Sequence, residues 1–253
     1  PMIVGSKDYY VGFAAAMNIG IKEAKYPVVI GLNNDIIADE DFISPLVSHF
    51  SDDGNILAVA AKMLLWDKKT INFGRAKGNF RFGFFNRDMA DSSAAVNTLY
   101  ACAGGFAVNR NKFLELGGFD EDMDVYWEDA DLCYRGWKRG WKTIYEPRSI
   151  IYHKLHGTYS KKCGSNGIQK KSGENYFLFI VKNIHDSLFF YRQLFLSPAL
   201  MLACVLSGKF HFANGILRSL KRAPLFLKKR RMEKKRAVLS DREVFRISNH
   251  CRI

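Results

Sequence analysis

The 253 residues are 48% apolar and 25% charged, enough for one large domain or a domain with a helical extension, and that balance excludes disordered, collagen-like and coiled-coil chains. Lys and Arg number 38 against 25 Asp and Glu, a formal net charge of +13 that calls for an anionic partner without choosing among nucleic acid, lipid headgroup and phosphorylated substrate. Five cysteines, Cys102, Cys133, Cys163, Cys204 and Cys251, form no CxxC pair and are odd in number, which fits a reducing compartment and supports neither a disulfide framework nor a structural zinc site.

No secretory signal opens the sequence, and patterned text begins at Pro1, so the expectation is a piece of a longer protein. Residues 11–24 are Ala-rich and predict a helix that Pro27 ends before the β-branched run Val28, Val29 and Ile30. Hydrophobicity stops at Leu32, and Asn33, Asn34 and Asp35 begin polar turn chemistry, which puts Asp35 at a strand's C-terminal end, where open parallel α/β sheets bind ligands. A helix is predicted from about Asp41 to Phe50 and a strand over Ile56 to Leu65. From Asn72 to Ser93 the Gly, Asn, Arg and Phe content predicts an irregular loop or a hairpin.

Val96 to Cys102 reads as a strand, Gly104 and Gly105 punctuate it, and Phe106 to Val108 resume it. Asn111 is placed to cap a short helix that Gly117 and Gly118 end. Residues 128–139 form a second capped helix, with Glu128, Asp129 and Asp131 in its first turn and Lys138 and Arg139 in its last, both suited to the helix dipole. Trp141 to Tyr145 and Ser149 to Tyr152 read as two short strands separated by Glu146 and Pro147, with His153 where the second ends. This alternation indicates an α/β domain over residues 1–172, and residues 173–253 read as a helical, basic extension. Residues 194–206 are strongly apolar, but thirteen residues with a proline fall short of the ~20 a bilayer crossing needs. Residues 218–236 hold ten Lys or Arg against Glu233 alone, so +9 of the +13 sits in the tail.

Three polar sites fall at element ends: Asp35, the Glu128–Asp129 pair and His153. A carboxylate and an imidazole at neighbouring strand ends suit one divalent cation facing a diphosphate, and a separate carboxylate suits a general base on a hydroxyl. Taken singly, Asp35 reads as a turn aspartate, His153 as a boundary histidine and the acidic pair as helix-start acids; Asp131 and Arg135, at i and i+4, read as a structural pair. Their order along the chain carries the weight.

The string GGFDEDMDVYWEDADLCYRGWKRGWKTIYEPRSIIYH and the string VGFAAAMNIGIKEAKYPVVIGLNNDI together resemble family 2 glycosyltransferases, especially rhamnosyltransferase-like and galactofuranosyltransferase-like members, over about Tyr10 to Asn183. The resemblance implies a GT-A fold, Rossmann-like with a mostly parallel sheet flanked by helices. It further implies a nucleotide-diphospho-sugar donor, Mg²⁺ or Mn²⁺, and inversion at the anomeric carbon. On that resemblance Asp35 is the metal-binding aspartate of a DxD-like turn whose first acidic position is Asn33 here, and His153 is the second protein ligand. Asp129 is the base and Glu128 the acid that contacts the acceptor. Asn33, Asn34, Gly104, Gly105 and Trp127 line the donor and acceptor side. The resemblance also implies a leading strand and helix that cradle the nucleobase ahead of Pro1, so residues 1–253 alone are expected to bind donor poorly.

The basic, apolar tail is expected to lie on an anionic membrane surface at the cytoplasmic face, where a glycan or lipid-linked acceptor gives that location a purpose. A solvated basic helix end is the plainer reading. Two other functions compete: a catalytically inactive relative of the same fold, and a nucleic-acid module drawn from the tail and from Phe80, Phe82, Phe84 and Phe85 interleaved with Arg75, Lys77, Arg81 and Arg87. The nucleic-acid reading leaves Asp35, Asp129 and His153 unexplained.

Overall fold

The computed structural model describes residues 12–52, 54–154 and 158–250. Elements follow in the order α1 (Phe13–Glu23), β1 (Val28–Leu32), β2 (Ile36–Ala38), α2 (Ile43–Asp52), β3 (Ile56–Leu65), β4 (Ile71–Phe73), β5 (Arg75–Arg81), β6 (Phe84–Ala90), β7 (Val96–Asn97), β8 (Gly105–Asn109), α3 (Arg110–Glu115), α4 (Glu128–Lys138) and β9 (Lys142–His153). A helical run completes the chain: α5 (Thr158–Asn183), α6 (Ser187–Leu206), α7 (Phe210–Ser219), α8 (Ala223–Arg236) and α9 (Asp241–Ser248). The expected helix start at Val11, and Cys163 and Cys251 as free thiols, lie outside what the structure describes; Cys102, Cys133 and Cys204 are free.

The main sheet runs β1-β8-β3-β9-β2, with β4 added to β3 and β7 to β9. It is mixed rather than mostly parallel: among the described residues β3 and β9 pair in parallel and the other ladders are antiparallel, with β8 running back between β1 and β3. Six consecutive residues of β3, Ile56 to Ala61, are buried, which explains the unbroken apolar run of a strand covered on both faces.

Local chemistry accounts for three departures from the sequence reading and decides between the loop and the hairpin expected over residues 72–93. The two strands expected around Glu146 and Pro147 are one strand with a bulge. Its pairing with β3 jumps from Ala61↔Glu146 to Lys62↔Ile150, because Pro147 has no N–H for the ladder and the Glu146 carboxylate instead accepts from Arg148 and meets His49 at 2.8 Å. The strand expected over Val96 to Cys102 pairs only at Val96 and Asn97. Beyond them Thr98 N donates to Thr143 while Leu99 N donates to Ala76, and Trp137 Nε1 donates to the Thr98 and Leu99 carbonyls at 3.1 Å. Asn109, not Asn111, caps α3, accepting from Lys112 N at 3.1 Å. Residues 72–93 form the end of β4 and the β5–β6 hairpin, whose tip carries Phe82 and Gly83 at positive φ.

The helical run begins at Thr158, and residue 173 lies inside α5, which is interrupted at Gly164 (φ +63°). Its second half, from Tyr176 to Ile184, is buried with the sheet in one core. Asp131 and Arg135 do pair, at 2.8 Å, and Asp131 also accepts from Lys182 at 2.9 Å and Asn183 at 2.8 Å, so α4 and α5 share a buried ionic joint. The α9 helix closes the far side, where Asn249 exchanges hydrogen bonds with Gly78 and the Asp241 carboxylate accepts from Tyr134, Lys138, His185 and Asp186.

The tail's charge is partly internal. Lys229 bridges Asp120 (2.5 Å) and Asp122 (2.6 Å), Arg222 reaches Glu174 (2.9 Å), and Arg230 donates to the Val181 and Ile184 carbonyls. The apolar segment is longer than its sequence suggested, because Asp186 caps a helix that starts at Ser187 and carries Pro198 inside it. By length and composition α6 meets the requirement for a membrane crossing.

Candidate active site

The end of β1 delivers Asn33, Asn34 and Asp35 into a turn that β2 follows immediately. Pairing of Ile36 with His153 in the β2–β9 ladder brings the end of β9 beside that turn, and Lys154 N donates to the Asp35 carbonyl at 3.0 Å. The side chains then meet: His153 Nε2 lies 3.4 Å from Asp35 Oδ2, both about one-fifth exposed. His153 Nδ1 lies 2.8 Å from Asn72 Oδ1, an atom that only accepts, so Nδ1 donates there and Nε2 is the ring nitrogen left facing the carboxylate. Nε2 and the Asp35 carboxylate are thus two adjacent atoms of the kind that ligate a cation. Asp35 Oδ1 is buried without a hydrogen-bond partner.

The residues therefore fit a divalent cation with two protein ligands, the remaining positions left to other oxygens, and Asn72 in the outer position that fixes the imidazole. Among the described residues no group of three or more His, Cys, Asp or Glu gathers into a closed metal cage.

The second half of the site begins with backbone strain. Asp124, Tyr126 and Trp127 have φ of +54°, +64° and +77°, left-handed values that cost about 1–3 kcal/mol each outside glycine. They turn the chain so that α4 starts abruptly at Glu128 with no side-chain cap. Asn175, buried on α5, holds this turn: its amide donates to the carbonyls of Met123 (2.5 Å), Val125 (2.9 Å) and Tyr126 (2.8 Å).

Glu128 and Asp129 consequently sit side by side at the buried head of α4. The helix dipole favours charged carboxylates here, but burial outweighs it and raises the carboxyls of both residues, Glu128 well above its ordinary value with the Asp129 charge adding to the effect. The opposing influence is Arg87 on β6, with backbone N–H groups of the helix head and of Ala103. Ala130 N donates to Asp129 Oδ1 at 2.7 Å. The Arg87 guanidinium lies 3.6 Å from the Trp127 ring centroid and 5.1 Å from that of Tyr100.

The 102–105 turn joins the two halves. Ala103 bonds Asp129, and the next residue's carbonyl, that of Gly104, accepts from Asn33 N at 3.0 Å. A Cβ on Gly104 would stand 3.2 Å from the Asn33 amide, whereas one on Gly105, the first residue of β8, would collide with Ile151 at 1.9 Å. This turn therefore touches the head of α4 through Ala103 and the turn after β1 through Gly104. Asn34 is exposed, and the Trp127 ring points inward among Phe85, Tyr176 and Phe179. The Phe–Arg alternation is a two-faced strand pair: Phe80 and Phe85 pack against Phe189, Phe179 and Phe245, and Phe82 is exposed at the tip.

Three residues that shape the site were not among the sequence candidates for it. Arg87 had a signal, its place in the aromatic-basic string; Asn72 and Asn175 had none, since each acts through a partner 81 or about 50 residues away.

Residues 4–117 match the family model described as glycosyl transferase family 2. An N-acetylglucosaminyl-diphospho-decaprenol L-rhamnosyltransferase of Mycobacterium tuberculosis is 44% identical over 52 residues, 20% of this chain and 17% of that protein. A poly-beta-1,6-N-acetyl-D-glucosamine synthase of Staphylococcus aureus is 28% identical over 144 residues, 56% of this chain and 34% of that protein. The chain thus matches about a third or less of these relatives' length. A crystal structure of GalNAc-T7 with UDP, GalNAc and Mn2+ superposes with a TM-score of 0.55 at 20% identity, covering 75% of this chain and 37% of that one, which shows the GT-A fold.

Proposed function

We propose that this chain, whose residues 4–117 match the glycosyl transferase family 2 model, is a member of that family and transfers a sugar from a nucleotide-diphospho-sugar to a hydroxyl of a glycan or lipid-linked acceptor, with inversion and with Asp129 as general base. The acceptor oxygen forms a bond to the anomeric carbon while the bond from that carbon to the diphosphate oxygen breaks. Its electron pair leaves on the diphosphate, and the hydroxyl proton passes to the Asp129 carboxylate. One carboxylate on the acceptor side suffices for such a single displacement.

The observation that carries this reading is the pairing of unlike carboxyls at the head of α4. Glu128, 6% exposed and raised by burial and by the neighbouring Asp129 charge, serves as the hydrogen-bonding contact to the acceptor. Asp129 has the Arg87 charge as the largest influence opposing its burial, and it is the base in this proposal. Asp35 and His153 would hold Mg²⁺ or Mn²⁺, which supplies positive charge to the leaving diphosphate. Asn33, Asn34, Gly104 and Gly105 border the donor side, and Arg87, held on the inward-facing Trp127 ring, lies on the acceptor side. Residues 1–172 are the catalytic unit in this proposal, and residues 173–253 a helical extension that braces it through Asn175 and rests on the cytoplasmic face of a membrane.

Asp129→Asn tests the assignment in the complete protein, scored by release of nucleoside diphosphate and transfer of labelled sugar. Turnover falls by roughly 10²–10⁴-fold with an unchanged melting profile if Asp129 is the base. Undiminished turnover refutes it, and a complete protein inert toward every nucleotide sugar tried favours the inactive relative.

A further inference from the structure

A second feature of the chain has no part in the chemistry above. The α6 and α7 helices enclose an apolar slot of about 710 Å³, floored by Phe177 of α5 and walled by Leu194, Met201, Leu202, Phe210 and Leu217 among others. Its rim is open to solvent: Leu202, Phe210, Leu217 and Leu220 are all at least half exposed, and beyond it Phe195 and Leu206 on α6 are 85% and 80% exposed. Contiguous apolar exposure on this scale marks an interaction surface.

The charge around the slot says what covers it. From Ser187 to Met232 the sequence contains no Asp or Glu. Arg222, Lys229 and Arg230 of this stretch are turned inward onto Glu174, Asp120 and backbone carbonyls. Arg192, Lys209, Arg218, Lys221, Lys228 and Arg231 are exposed and form no ion pair with the described residues. Three of them adjoin slot residues in sequence: Lys209 beside Phe210, Arg218 beside Leu217, and Lys221 beside Leu220.

We propose that the α6–α7 slot is a lipid-docking site that takes hydrocarbon from an anionic bilayer while Lys209, Arg218 and Lys221 contact its headgroups, so that α6 lies along the membrane surface. It deepens the acceptor side of the proposed transferase by saying how the catalytic unit reaches a lipid-borne substrate. A crossing by α6 is opposed by its inner face. Gln193, fully buried, accepts from Phe85 N and from the Tyr176 hydroxyl, both at 3.0 Å, and a Cβ on Gly83 of the hairpin would collide with Leu196. Taking α6 across a bilayer strips that amide of its partners in hydrocarbon.

Flotation of the purified chain with vesicles tests the proposal without any sugar donor, so its outcome is independent of whether the chain is a transferase. The protein floats with phosphatidylcholine vesicles containing one-third phosphatidylglycerol and stays in solution with phosphatidylcholine alone. Lys209→Gln, Arg218→Gln and Lys221→Gln together weaken binding on the order of 100-fold, at about fivefold for each cation lost near the surface. Leu202→Glu with Leu217→Glu abolishes flotation while circular dichroism and melting stay native, since both side chains are at least half exposed in the fold. Equal flotation of either variant and the wild type, or equal binding to neutral vesicles, overturns the proposal. So does a stable dimer that buries the slot in ultracentrifugation, or protein that resists extraction by high salt and alkali as a spanning helix does.

Discussion

Replacing Glu128 with Gln probes the electrostatics of the site by a route that needs no substrate. In the folded chain burial and the neighbouring Asp129 hold the Glu128 carboxyl well above its ordinary value of 4.5, whereas in the unfolded chain it titrates near that value. Between the two the folded state binds the proton and the unfolded state does not. Stability therefore falls as pH rises through this window and levels off above the folded-state value, the reverse of a salt-bridged carboxylate. One proton linked in this way tilts the stability by up to about 1.4 kcal/mol per pH unit. Glu128→Gln removes the titration and keeps the shape, so wild type and variant should have similar stability near pH 4.5 and diverge above it, the variant becoming the more stable. Urea unfolding followed by tryptophan fluorescence, repeated at intervals of half a pH unit, reads the difference directly. Parallel curves, or a variant that weakens relative to wild type as pH rises, would refute the assignment of Glu128 as a carboxyl kept protonated by its surroundings. A gain in stability with a loss of turnover is the pattern expected where a functional group is held against its own preference.

Other outcomes follow from the same geometry. Mn²⁺ alone should raise the melting temperature of the wild-type chain, by about 2.7 kcal/mol of stability at a hundredfold excess over its dissociation constant, and Asp35→Ala or His153→Ala should each abolish that rise. Asn72→Ala should weaken the Mn²⁺ effect roughly 10–100-fold while leaving both ligands in place, as removal of an outer hydrogen-bond partner does. Asn175→Ala leaves the 123–127 turn without its three carbonyl contacts and should cost roughly 2–4 kcal/mol, lowering the melting temperature by about 5–15 °C, with turnover falling further than stability explains. Arg87→Gln removes the positive charge that favours ionisation of the Glu128–Asp129 pair, so the acid limb of the turnover–pH profile should move to higher pH; a limb that stays fixed or moves down shows that Arg87 does not act on the base.

Local pattern was enough to place much of this chain. The apolar run over Ile56–Leu65, the acidic start and basic end of the helix at 128–138, and the polar stop after Leu32 each appear where the residues indicate, because periodicity, end charges and burial on both faces are properties of neighbours in sequence. The strand over Val96–Cys102 failed for the converse reason, since its hydrogen bonds go to Ala76 and Thr143, which only the assembled sheet presents. At the candidate site the sequence by itself named Asp35, Glu128, Asp129 and His153 from their positions at element ends. Folding decided what those groups are: Ile36 pairing with His153 made two separate residues a facing pair, and burial at the head of α4 overrode the dipole and raised both carboxyls. Arg87, Asn72 and Asn175 acquired their roles in the same step, because an ionisable group's character depends on the dielectric and charges within a few ångströms, and those neighbours are brought together by packing rather than by order along the chain.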